Sequence, residues 1–169
     1  YEIGSGLVGS EMCIRDSVMY NISSMQKGVQ TAHAVLEYAN RYKDSNDLKE
    51  YIQEDKTLII LDGGTSVDLK QLFDDLCEHD IKFARFIEPD LNDAITSVCF
   101  LADERVWDRK NYPDYEDWLF KNGHCLAILT SMPPQTKFDE ELYKEWVEFI
   151  GGEKNVYLRE IIKGKRLSM

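Results

Sequence analysis

The sequence predicts an α/β fold: three layers, with a small mixed β-sheet of four strands, and a fifth available, flanked by helices. Three observations predict it. Thr57 to Leu61 (TLIIL) is apolar without alternation, the pattern of a central strand covered on both faces. Two stretches, Ser23 to Tyr42 and Thr65 to Glu78, carry apolar residues at helical spacing. Lys82 to Ile87 and Ile95 to Ala102 are rich in β-branched and aromatic residues, and the connection between them is too short for a crossover helix. Those two strands are therefore expected to run antiparallel.

Taken in order, the chain opens with a stretch that does not fit the rest. Residues 1–17 (YEIGSGLVGSEMCIRDS) hold three glycines in nine residues and follow no period of 2 or 3.6. They resemble translated sequencing-adapter contamination and are set apart as an artefactual or disordered tail. Val18, Met19 and Tyr20 read as the stump of a first strand. The helix from Ser23 to Tyr42 presents Val29, Ala32, Val35, Leu36 and Ala39 as an apolar stripe, with Ser23 or Ser24 as its cap. Gln30, His33 and Glu37 fall at i, i+3 and i+7 on another flank. Gly28 costs roughly 1 kcal/mol of helix propensity against Ala, which implies a close backbone neighbour.

A polar run then carries a short second helix around Leu48 to Ile52. After TLIIL, Gly63-Gly64 turns the chain and Thr65 with Asp68 makes a capping-box-like start. The helix behind it buries Leu69, Leu72, Phe73 and Leu76. Pro89 fixes the turn between the two last core strands. The α/β core thus spans 18–102, and 103–169 is an extension packed on the same domain. In it, Trp107, Tyr112, Tyr115, Trp118 and Phe120 lack a clean period and read as a loop or short helix packed by its rings. Residues 124–129 read as an edge strand, Pro133-Pro134 as a break, and 138–150 as a helix stopped by Gly151-Gly152. Arg159, Lys163, Lys165 and Arg166 form the main local positive cluster, on a stretch that reads as a solvated tail.

Composition narrows the function. The 169 residues include 20 Lys and Arg against 31 Asp and Glu, a formal charge of −11. That balance argues against a general coat for DNA or RNA, whose affinity comes from neutralising phosphates. Removing the first seventeen residues takes out Arg15 with Glu2, Glu11 and Asp16, so the remainder is still strongly acidic. Cys13, Cys77, Cys99 and Cys125 lie far apart and form no CxxC pair, which indicates neither a zinc site nor a disulfide framework. Cys77 and Cys99 sit in apolar patterns and read as core. No apolar run is long enough for a membrane span, and no signal-peptide pattern is found. A cytoplasmic protein with no metal and no cofactor is the expectation.

Three matches, in this order, carry a resemblance: Gln30-x-x-His33-Ala34 on the first helix, then TLIIL, then Glu88-Pro89-Asp90-Leu91 before an apolar strand. Over about Val18 to Ala102 the chain resembles the Pth2 class of peptidyl-tRNA hydrolases. That family opens with a strand ending in Arg/Asn-Asp, followed by a helix carrying Lys-x-Ala-x-Gln-x-x-His-Ala. The family lysine falls on Gln26, with Lys27 one position late, and Gly28 replaces the first alanine. The family acid falls on Glu88, and its arginine on Leu91. The resemblance implies a four-stranded mixed sheet, often dimeric, and cleavage of the ester joining a peptide to the 3′ ribose of tRNA. Water would be activated by Glu88, with His33 positioning it or shuttling a proton, and Gln30 with nearby backbone N–H groups holding the carbonyl. Lys27, with Lys163 or Lys165, would meet tRNA phosphates. Asp90 and Asn92, good turn formers whatever the function, complete the expected substrate-binding set.

The resemblance requires His33 and Glu88 to address one cleft on a single face of the sheet. A relative that kept the fold and lost the chemistry, serving as a binding or interaction protein, is the alternative suggested by Gln26 and Leu91. Hydrolysis or sensing of a small metabolite is a third reading, which needs a closed pocket roofed by residues 107–120.

Overall fold

A computed structural model describes residues 12–124 and 140–168. Strand β1 (Met12–Val18) lies inside a four-stranded mixed sheet of order β2-β1-β4-β3. It pairs in parallel with β2 (Thr57–Asp62) and antiparallel with β4 (Ala94–Asp103), which pairs antiparallel with β3 (Phe83–Glu88). The stretch set apart on composition thus supplies β1 as far as Ser17, which corrects the expectation that residues 12–17 lie outside the fold. The physical reason is double-sided burial. Cys13, Ile14, Asp16, Ser17 and Val18 are all buried, and an interior strand covered on both faces carries no alternation to detect.

The reverse error holds for TLIIL. Strand β2 is at the sheet's edge, and its first two residues are exposed. Residues near the C-terminus cover that edge: the Asp62 amide donates to the Arg166 carbonyl at 2.8 Å, and the Ser168 amide to Ile60 at 2.9 Å. Leu61 and Leu167 form the antiparallel bridge between these bonds.

Helices cover both faces. On one face lies α1 (Ser24–Arg41), joined by α2 (Asn46–Glu50), which continues as a single π turn over Tyr51–Asp55. On the other lies α3 (Ser66–Glu78). Strand alternation sorts the side chains. Ala84 and Phe86 pack with Ile14, Ala34, Tyr38, Leu48 and Cys99 in the α1 layer. Phe83 and Arg85 instead meet Phe73 of α3.

Both long helices start at capping boxes. Ser23 Oγ accepts from the Gln26 amide while Gln26 Oε1 accepts from the Ser23 amide, and Thr65 with Asp68 repeats the arrangement. Gly63, after β2, is held against β1. A Cβ there would stand 2.9 Å from both Ser17 C and Val18 O, and 2.7 Å from Leu69 Cδ2. Gly28 is the opposite case. Among the described residues, a Cβ on it would meet nothing within 4 Å, so none of them is the close neighbour expected there.

The chain divides into two compact units, one comprising the chain to Glu104 with residues from Lys165 onward, the other Arg105–Gly164. A short turn of helix, α4 (Glu104–Trp107), spans the division. The second unit contains α5 (Tyr115–Lys121), α6 (Glu140–Phe149) and α7 (Glu153–Ile162). Its core is aromatic: Trp118, Trp146, Val147 and Ile150, with Tyr112, Tyr115, Leu142 and Tyr143 around them. Gly151 and Gly152, both at positive φ, separate α6 from α7. The expected strand over 124–129, apart from His124, and the Pro133-Pro134 break lie outside the described residues.

Helix α7 corrects the reading of that stretch as a tail. Arg159 is 1% exposed. Its guanidinium donates to the carbonyls of Arg105 (2.6 Å) and Tyr112 (2.8 Å) and pairs with Asp114 at 2.7 Å. Arg109 also pairs with Asp114. A buried charge needs such partners, and a positive cluster read from composition alone cannot reveal them.

Candidate functional site

The site is built where α1 crosses the ends of β3 and β4. The face of α1 turned to the sheet carries Gln30, Thr31, Ala34 and Tyr38, all buried. It is not the apolar stripe expected. Val29 is 47% and Leu36 67% exposed, and only Val35 and Ala39 of that stripe pack on the core. The helix is rolled so because the sheet offers polar partners for Gln30 and Thr31. A hydrophobic period cannot register such partners.

Gln30 joins three elements. Its Nε2 donates to Glu88 Oε2 at 2.7 Å, and its Oε1 accepts from the Thr96 hydroxyl at 2.7 Å. Glu88 is the last residue of β3 and is half-buried. Thr96 reaches Gln30 through a β-bulge. Ile87 pairs with Ile95 but Phe86 pairs with Ser97, which leaves Thr96 as the extra residue. The bulge lets Thr96 and Ser97, consecutive in sequence, both address α1.

Beside this group lies a buried acid. Asp16 Oδ2 accepts from the Thr31 hydroxyl at 2.6 Å, and Oδ1 from the Ser97 hydroxyl at 2.5 Å. Burial pushes the Asp16 carboxyl up to about 6, against the two hydroxyl bonds, which lower it. The structure thus adds Asp16, Thr31, Thr96 and Ser97 to the expected residues. The consecutive polar pair Thr96-Ser97 inside an apolar strand was the one signal in the sequence for them.

His33 is exposed, and its ring stacks on Phe86 with centroids 4.3 Å apart and planes 14° apart. Phe86 and Glu88 are alternate residues on β3, so His33, stacked on Phe86, and Glu88 stand on the same face of the sheet. Lys27 is half-buried one turn before Gln30 on the sheetward side of α1. Gln26, where the resemblance calls for lysine, is engaged in the capping box. Glu37 is exposed.

The other expected residues are spread out. Asp90 lies in the 3-10 turn Pro89–Leu91 directly after Glu88, and Asn92 follows it at φ 55°; both are exposed. Lys165 acts electrostatically on Asp68, at the start of α3 and so on the far side of the sheet. Lys163 ends α7 in the second unit, 3.6 Å from Glu160.

Cys99 is buried, but Cys77 is exposed on α3, contrary to the core reading, because its helical position turns it away from Leu69, Leu72 and Leu76. Among the described residues, no group of three or more His, Cys, Asp or Glu is arranged to hold a metal ion, and no helix is long and apolar enough to cross a membrane. No protein-family model matches this chain, and no curated protein matches it.

Proposed function

We propose that the protein hydrolyses the ester between peptide and tRNA in peptidyl-tRNA. The observation that supports this reading best is the 2.7 Å bond from Gln30 to Glu88, with His33 on the same face of the sheet. A half-buried carboxylate held through one oxygen by a neutral amide keeps its other oxygen for a water. Glu88 takes a proton from that water as its oxygen bonds to the ester carbonyl carbon. Collapse of the tetrahedral intermediate breaks the bond to the ribose oxygen, which leaves with a proton relayed by His33. Gln30 is engaged at both ends of its amide, so its role is to orient Glu88 rather than to hold the oxyanion. Lys27 meets a tRNA phosphate, and Asp90 and Asn92 line the approach.

A second reading is favoured by Gln26. Where the resemblance calls for a lysine in the cleft, Gln26 caps the helix instead, as a fold-preserving relative without the chemistry would allow. The two readings separate in a release assay on peptidyl-tRNA. If the first holds, the full chain turns over substrate, and His33→Ala and Glu88→Ala each lower turnover about 100-fold or more while melting cooperatively. Wild-type chain that is inert in excess over substrate leaves the binding protein.

A further inference from the structure

The face of the sheet opposite Gln30 and Glu88 holds a cavity of about 320 Å³ between α3 and the strands. Its walls are apolar, from Val67, Phe73, Ile87 and Ile95, and two cations, Lys70 and Arg85, reach it. The Arg85 guanidinium lies over the Phe73 ring, 4.0 Å from its centroid. Neither Lys70 nor Arg85 has a carboxylate partner among the described residues. In a chain with 31 acidic residues, a half-buried guanidinium paired with no carboxylate among the described residues is a donor set open to one from outside.

We propose that this cavity binds a small carboxylate with a flat apolar body. The body fills the space against Phe73, Ile87 and Ile95, and Arg85 grips the carboxylate with its fork while Lys70 adds a second positive charge. The volume is at the lower end of small-molecule pockets, which limits the body to about one ring and a short chain. Asp93, the one acid on the lining, leaves the site a single net positive charge. That suits a monoanion better than a phosphate dianion. The site owes nothing to the hydrolase reading and stands or falls without it.

The test is a titration of the methyl-labelled full chain followed by NMR, using 3-phenylpropionate, its neutral amide 3-phenylpropanamide, and inorganic phosphate. The expected result is saturable shifts of the Val67, Ile87 and Ile95 methyls with the carboxylate, and binding about tenfold weaker with the amide and with Arg85→Gln protein. Equal affinity for acid and amide, shifts that never saturate, or tighter binding of phosphate than of the carboxylate would each overturn the proposal. The comparison of acid with amide needs only the wild-type chain, so it decides the matter even if Arg85→Gln fails to fold.

Discussion

Gly28 and Gly63 look alike in a sequence and differ in what surrounds them. Gly28 lies within α1 with open space where a Cβ would go, so Gly28→Ala should raise stability by about 0.5–1 kcal/mol through helix propensity alone. Gly63 touches the backbone at the end of β1, and Gly63→Ala should cost on the order of 1–3 kcal/mol because strand or helix must shift. Denaturant melts of the two variants check both signs. Asp16 has a different signature. Its folded carboxyl, at about 6, lies above the ordinary aspartate value near 4, so the proton is bound more tightly in the folded chain. Its stabilising contribution is complete below about pH 4 and is lost as pH rises through about 6, a change of about 3 kcal/mol. In Asp16→Asn that share of the pH dependence should vanish, which the difference between the two proteins' stability curves from pH 4 to 7 would measure. A difference that is flat across this range would show that Asp16 titrates normally.

At the level of elements, α1 shows what a sequence exposes and what it hides. Its existence, its cap at Ser23 and its end near Tyr42 follow from local chemistry, since capping and propensity act over a single turn. Which face turns inward does not, because Gln30 and Thr31 are buried for the sake of Glu88, Thr96 and Asp16, residues distant in the chain. The antiparallel β3–β4 pair was legible from its short connection, but the bulge at Thr96 that completes the site was not. Helix α7 was missed because its buried charge, Arg159, counted as a surface charge. The capping box of α1 carries a prediction. Gln26→Lys, which restores the lysine of the resemblance, removes the acceptor for the Ser23 amide and should destabilise the protein by about 0.5–1 kcal/mol in a thermal melt. If the melt is unchanged, Gln26 has no structural duty, and the main support for the non-catalytic reading goes with it.

For the whole molecule, two compact units place different demands on the same chain. One is a sheet with polar junctions under its helix, the other a helical cluster packed by rings, with the buried Arg159 guanidinium beside Trp146. The first unit takes its covering for β2 from residues that follow the second, so the chain must leave and come back. A chain cut after Gly164 lacks that covering. It should self-associate, which sedimentation at rising concentration would detect as a mass above the monomer. The segment 166–168 therefore acts as a stopper. It occupies the outer backbone groups of β2 over residues 60–62, onto which a stray strand from another molecule would otherwise zip, and so closes that stretch of the sheet's rim to neighbouring copies.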